Sequence, residues 1–262
     1  MNLYIILIIS ITIFGLILYY NLKNQNKTKF LENMNNFNLK EKTQNNNVIV
    51  SITTIPSRIS KCEEIINSFF IDGIVSKVYV NVPKKYTRFP NENIVIPKFM
   101  INNPNIIVNR KPNDYGPGTK LFGTLFLNDV KQDTIIIVTD DDTKKKPGWS
   151  KTLVESVLNN PNAVTTMHPS VIHGGRGFAF KKSIFNQSDM LNTFNQTPNC
   201  LFVDDDFFTN YCNKREIPII YLNDSKKYYI AETNLFNNKL RDEGNRSEST
   251  NKCNNDFKKI NG

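Results

Sequence analysis

The chain has 262 residues, 39% of them hydrophobic and 22% charged, enough for one packed domain with polar appendages. The formal net charge of +9 suits anionic partners, but much of the excess lies away from the apolar segments, in Lys23, Lys27, Lys29, Lys40, Lys42, Lys252, Lys258 and Lys259. There is no Lys/Arg stripe interleaved with aromatics, no zinc-ligand spacing and no helix-turn-helix pattern, so no nucleic-acid partner is expected.

Residues 3–20 (LYIILIISITIFGLILYY) carry no charge, and as a helix they just reach across a hydrocarbon core. Tyr19 and Tyr20 lie where interfacial aromatics belong. With no basic start and no A-x-A cleavage pattern, the segment reads as an uncleaved transmembrane helix, making a single-pass membrane protein. Lys23, Lys27 and Lys29 follow the span and nothing basic precedes it, so the positive-inside rule puts the following domain on the cytosolic side. The sequons at Asn26, Asn186, Asn195, Asn223 and Asn245 are expected by chance in so Asn-rich a chain and do not decide the side. Residues 21–46 read as a polar stalk with no core of their own.

The domain is expected over residues 47–233. Residues 48–55 (VIVSITTI) form the first buried strand, followed by a loop with Pro56 and Arg58. Residues 61–70 place Ile65, Ile66, Phe69 and Phe70 on one helix face, and residues 77–82 make a second strand. Residues 84–105 are Pro-rich and irregular, and 106–109 form a short strand. The loop RKPNDYGPGTK leads into a helix over 119–128. Residues 134–139 are a continuous apolar strand that stops at Asp140, Asp141 and Asp142. A helix over 147–158, with Pro147 near its start, and strands at 163–167 and 178–180 follow. Residues 200–203 lead into three further aspartates and a helix over 207–214, and 217–222 are the last strand. Residues 234–262 lose the apolar pattern and read as a loose tail. Strands alternating with helices, several with continuous apolar runs, predict an α/β domain with a mostly parallel sheet. Cys62, Cys200, Cys212 and Cys253 form no C-x-x-C pair and read as small core or surface residues.

Three features carry chemistry. The strand ending in Asp140-Asp141-Asp142 delivers acids where open α/β sheets bind ligands. In extended backbone, Asp140 and Asp142 share one side and Asp141 takes the other. Two carboxylates on one side suit Mg²⁺ or Mn²⁺, with phosphate oxygens and water as further ligands. The plain alternative is an acidic turn balanced by Lys144, Lys145 and Lys146. Asp204-Asp205-Asp206 then opens a helix, where a carboxylate can serve as a general base or simply cap the helix. Asp114 to Lys120 (DYGPGTK) makes a tight turn before a helix N-terminus, a place for a diphosphate or an ordinary loop.

Together these stretches resemble GT-A glycosyltransferases, in particular a bacterial and viral glycosyltransferase-like group. SITTIPSRI is similar to the opening strand and nucleotide-facing loop of that group. DYGPGTK, TIIIVT and DDD resemble the run that ends in the DxD motif, VDDDFFT resembles the later acidic motif, and GGRGFAF resembles the segment near donor sugar and acceptor. The resemblance spans residues 48–222 and implies a GT-A (Rossmann-like) fold and transfer of a sugar from a nucleotide-sugar donor to a glycan, lipid or protein acceptor. It implies that Asp140 and Asp142 hold the metal, Mn²⁺ by preference or Mg²⁺. Arg58, Asp114, Lys120 and Asp141 are then expected on the donor side, and Asp205 or Asp206 as the base of an inverting reaction. The Q-x-x-R-W motif of processive synthases is missing. His168 and His173 lie upstream of the usual histidine ligand and read as loop or core residues, and Trp149 reads as packing. Two other readings are a nucleotidyltransferase of related α/β fold and a non-catalytic, membrane-anchored glycan-binding protein.

Overall fold

A computed structural model describes residues 17–18, 20–25, 47–110, 112–223, 227–231 and 246–260. The chain forms two units, residues 1–45 and 46–262. In the first, residues 20–25 are helical. Most of the expected membrane span over residues 3–20, and the stalk beyond residue 25, lie outside the described residues. Among the described residues, no helix is long and apolar enough to cross a membrane.

The second unit is built on a seven-stranded sheet. Its strands are β1 (Val48–Thr53), β2 (Lys77–Asn81), β3 (Ile106–Asn109), β4 (Ile135–Val138), β6 (Val164–Thr166), β7 (Phe178–Lys181) and β8 (Ile219–Tyr221). Their order is β3-β2-β1-β4-β7-β6-β8. Neighbours pair in parallel except at β7, which runs against both β4 and β6. The continuous apolar runs are explained by burial on both faces. Ile135, Ile136, Ile137 and Val138 are all fully buried.

The helices are α1 (Glu63–Ser68), α2 (Lys98–Asn102), α3 (Thr119–Leu125), α4 (Trp149–Asn159), α5 (Gln187–Gln196), α6 (Asp204–Lys214) and α7 (Arg246–Lys259). Helix α3 packs on β1 and β2, and α4 packs on β7, β6 and β4. A small antiparallel pair, β5 (Thr143–Lys145) with β9 (Tyr229–Ala231), continues the chain beyond the first aspartate triplet.

The sequence reading differs from this picture at several points. Helix α6 starts at Asp204 because its three acids occupy the first turn, where the helix dipole favours negative charge. Helix α2 interrupts the segment read as irregular. Helix α5 buries only Met190, Thr193 and Phe194, too few apolar positions to announce a face, and is capped by the Asn186 side chain. Helix α7 corrects the loose-tail reading at residues 246–259. It is polar, and its place is fixed by three buried residues, Cys253, Asp256 and Phe257. Cys253 forms a disulfide with Cys200, which the cysteine spacing did not reveal.

Candidate active site

The site lies at the edge where β1 and β4 end. Because β7 is reversed, it begins at that same edge, with Val138 and Thr166 both opposite Phe178. The segment 167–177, which carries His173 and the Gly174-Gly175 pair, therefore enters beside the ends of β4 and β6. Edges of this kind are where open α/β sheets bind ligands.

A buried polar network fixes α3 against the sheet. Asn81 Nδ2 donates to Ser51 Oγ (2.9 Å) and Thr124 Oγ1 (2.8 Å). Asn109 Nδ2 donates to Asn81 Oδ1 (2.8 Å) and the Gly123 carbonyl (2.9 Å), and Ser51 Oγ donates to the Lys120 carbonyl. A Cβ on Gly123 would fall 2.5 Å from the Asn81 side chain, so glycine permits this approach. Each member is satisfied, as a buried network requires.

The network aims Lys120 into the site. Its side chain is 3% exposed, with Nζ 2.7 Å from Asp140 Oδ1 and 2.6 Å from Asp204 Oδ2. Burial pulls the ammonium pKa down, but Asp140, Asp204 and Asp205 outweigh it and hold the pKa well above the usual lysine value. Burial likewise disfavours the Asp140 carboxylate, and Lys120 reverses this, so that its pKa lies below the ordinary value. One lysine thus ties the first aspartate triplet to the second. Gly174 is the second link. Its carbonyl accepts from Asp140 N (3.3 Å) and Thr139 Oγ1 (3.0 Å), while its N–H donates to Asp205 Oδ1 (2.8 Å). A Cβ there would lie 2.6 Å from both Asp140 Oδ1 and Lys120 Nζ.

The remaining acids separate by position. Asp141 turns inward and accepts from Thr54 Oγ1 (2.6 Å) and Arg58 NH1 (2.9 Å). Burial lifts its pKa to about 6. Asp142 stays 38% exposed, with Oδ2 3.5 Å from the same guanidinium. Asp114 accepts from the backbone of Gly116 (2.9 Å) and Thr87 (2.5 Å), so it builds the turn ahead of α3. Asp205 Oδ2 lies 4.0 Å from His173 Nε2 and 3.6 Å from Arg246. Burial first, then Asp204, raises the Asp205 pKa to about 7. Asp206 faces α7, accepting from Thr250 Oγ1 at 2.7 Å. The fold therefore brings together Lys120, Asp140, Asp204 and Asp205, and separately Arg58, Asp141 and Asp142.

Among the described residues no three His, Cys, Asp or Glu side chains are gathered to hold a metal ion. The carboxylates that could hold a hard divalent cation, with other ligands from a bound phosphate and water, are the two left partly exposed, Asp140 and Asp142. The backbone is drawn up to Asp140 at Gly174, where a Cβ would fall 2.6 Å from Oδ1, and Gly175 stands at ordinary contact distance from Oδ2 (3.4 Å).

Three site residues escaped the sequence reading. His173 stands beside Asp205, and burial depresses its pKa to about 4, so it is neutral near pH 7. Lys145 looked like a solvated counter-charge, as Lys144 is in its 3.1 Å pair with Glu64. Instead Lys145 is buried, donates to the Gly175 carbonyl (2.9 Å) and lies 5.0 Å from the Trp149 ring centroid. Burial lowers its pKa to about 7. The period-two pleat of β5 puts Lys145 on the same side as buried Thr143, the one signal that pointed inward. Arg246 lay in the segment read as tail. Trp149 packs on Phe69 and donates Nε1 to the Arg176 carbonyl (2.9 Å), in line with a packing role.

The strand order, with its single reversed strand, is that of the GT-A fold. Glucosyl-3-phosphoglycerate synthase from Mycobacterium tuberculosis, solved with Mn²⁺, UDP and phosphoglyceric acid, superposes with a TM-score of 0.50 at 12% identity, covering 82% of this chain and 81% of that one. The same enzyme with Mn²⁺, UDP and glucosyl-3-phosphoglycerate gives a TM-score of 0.50 at 12% identity, over 84% of this chain and 81% of that one. No family model matches the sequence, and no curated protein matches it. At this identity the likeness defines the fold, and the chemistry rests on the residues.

Proposed function

We propose that the protein is a metal-dependent glycosyltransferase that moves a sugar from a nucleoside-diphosphate donor to an acceptor hydroxyl. The observation that carries this reading is the joining of two acidic motifs at one sheet edge through Lys120 and Gly174. A purely structural acidic turn has no reason to bury a lysine between carboxylates from two distant motifs.

In this reading Asp140 and Asp142 hold a divalent cation, Mn²⁺ or Mg²⁺. When bound, it supplies positive charge to the departing diphosphate. Arg58 braces Asp141 and Asp142, which fixes the direction in which the Asp142 carboxylate projects. Lys120 keeps Asp140 ionised and holds Asp204 in place. Asp205 takes the proton from the acceptor hydroxyl as the acceptor oxygen bonds to the sugar carbon and that carbon's bond to the diphosphate breaks. Neutral His173 stands beside Asp205 without competing for that proton. Inversion requires Asp205 to lie opposite the leaving group. UDP-sugars are the first donors to try, because the solved neighbours hold UDP and Mn²⁺. The apolar segment at residues 3–20 would tether the domain to a membrane.

The test is a panel of nucleotide sugars with Mn²⁺ and the full-length chain in detergent, reading release of nucleoside diphosphate, with Asp142→Asn beside it. Release from one donor that disappears in the variant is the expected result. Release of pyrophosphate would make the protein a nucleotidyltransferase. No release and no thermal shift with any donor would leave the non-catalytic reading.

A further inference from the structure

The proposed reaction assigns no part to α7. The helix buries little of itself, yet its side-chain ties converge on the segment carrying the second acid motif. Cys253 is bonded to Cys200. Asp256 Oδ2 accepts from Asn199 N (3.1 Å) and Asn199 Nδ2 (2.8 Å). Thr250 Oγ1 donates to Asp206 Oδ2 (2.7 Å), and Asn210 Nδ2 donates to Asn254 Oδ1 (2.6 Å). The Phe257 ring packs 5.6 Å from Phe207. At the start of the helix, the Arg246 guanidinium lies 3.6 Å from Asp205 Oδ2.

We propose that Arg246 is a positioning residue for the Asp205 carboxylate and that the Cys200–Cys253 disulfide holds it in place. This rests on Asp205 as the base. The two carboxylate oxygens are used differently. Oδ1 is claimed by the Gly174 N–H, and Oδ2 is left between His173 and Arg246. A carboxylate pinned at one oxygen still pivots about that contact, and the guanidinium opposes the pivot. Arg246 is 61% exposed, so the pair adds little to stability and its effect falls on orientation and charge. The groups facing Asp205 come from every element around it. Lys120 on α3 and Arg246 on α7 favour the ionised form, Asp140 beyond β4 and Asp204 on α6 oppose it, and His173 on the 167–177 segment is neutral. A polar helix of this length does not hold its shape or its place by itself. The disulfide, which joins residues 53 apart in sequence, anchors it to the entrance of α6.

The experiment compares full-length wild type with Arg246→Ala, Arg246→Lys, Cys253→Ser, and Arg246→Ala combined with Cys253→Ser. It reads kcat, donor KM, the pH profile and the melting temperature. Arg246→Ala is expected to lower kcat about tenfold, leave donor KM and melting temperature unchanged, and move the acid limb of the profile to higher pH. Arg246→Lys recovers most of the loss. Cys253→Ser reproduces the kcat defect, and the double variant shows no further loss, because both changes remove one interaction. Wild-type kcat and an unshifted acid limb in Arg246→Ala would overturn the positioning role. Fully additive losses in the double variant would overturn the part given to the disulfide. Should Cys253→Ser fail to fold, the oxidised and reduced wild type and Arg246→Ala proteins supply the same cycle. Asp205→Asn runs alongside. Activity retained there refutes the base itself, whereas an inactive Asp205→Asn beside a fully active Arg246→Ala refutes only this inference.

Discussion

Asp140-Asp141-Asp142 and Asp204-Asp205-Asp206 are identical tripeptides that end up in opposite arrangements. The first follows a strand, and burial alternates through it: Asp141 is buried while Asp140 and Asp142 stay partly exposed, although Asp141 and Asp142 share Arg58. Asp141 goes inward to Thr54 and Arg58, while Asp140 and Asp142 remain toward the edge. The second opens a helix, so consecutive acids fan around the first turn. Asp204 meets Lys120, Asp205 meets Gly174, and Asp206 has turned away to Thr250. The turn after the strand buries its middle acid, and the helix start turns its last acid toward α7.

That contrast can be broken most severely at the outer acids. Asp142→Asn is expected to abolish metal-dependent transfer with the fold intact, read as nucleoside-diphosphate release together with a melting curve. Unchanged turnover would remove Asp142 from the cation. Asp205→Asn is expected to cost about 10²–10⁴-fold in kcat, the usual range for a general base. A loss below tenfold would transfer that role elsewhere. Replacing the shared cation in Lys120→Met leaves Asp140 and Asp204 buried without it. A stability loss of about 3–5 kcal/mol is expected in denaturant titrations, and wild-type stability would show that the two motifs are not coupled through Lys120.

The pH behaviour sharpens the comparison further. Because the Asp205 pKa is raised to about 7, activity should climb as pH rises through about 7, when the base becomes ionised. Its contribution to stability runs the other way. The folded pKa exceeds the unfolded value of about 3.9, so the contribution is complete below that value and is lost as pH rises through about 7. Both slopes should vanish in Asp205→Asn, and a pH-independent wild-type rate across this interval would contradict the assignment. Smallest of all is Asp206→Asn. It keeps an amide oxygen that accepts from Thr250 Oγ1, so it should cost no more than about 1 kcal/mol and leave kcat within a few-fold of wild type. A large kcat defect there would make Asp206 the better base.

The parallel half of the sheet was legible because its strands are apolar runs bounded by turn residues. Residues 106–109 were read with their observed limits, and 135–138 lie within the predicted 134–139. The acids at the end of β4 could be placed because a buried strand dictates where its last residue emerges. The second half was harder for physical reasons. Thr143–Lys145 is a strand because β9 pairs with it, and the two lysines of Thr-Lys-Lys outweigh the threonine's preference for that conformation. Lys145 is buried where its ammonium meets the Gly175 carbonyl, a tertiary contact whose one local trace is the shared side with Thr143. The polar residues of α7 gave no apolar face, and scattered cysteines do not reveal their connectivity. Asp205 was legible as an acid at a helix start, but its company of His173, Gly174 and Arg246 comes from two other regions of the chain.

The reversed strand has a consequence for engineering. Segment 167–177 is closed at its base, with Thr166 opposite Phe178 and Met167 N donating to the Gly177 carbonyl at 3.0 Å. It is therefore a loop pinned at both ends, and its exposed residues can be exchanged without moving the strand register. The run after β4 has no such freedom, since it is threaded onward into a second strand pair. Reprogramming of what this protein recognises should begin at its exposed Pro169 and Ser170, away from buried Met167 and Ile172 and from Gly174, Gly175 and Arg176, whose backbone is tied into the site.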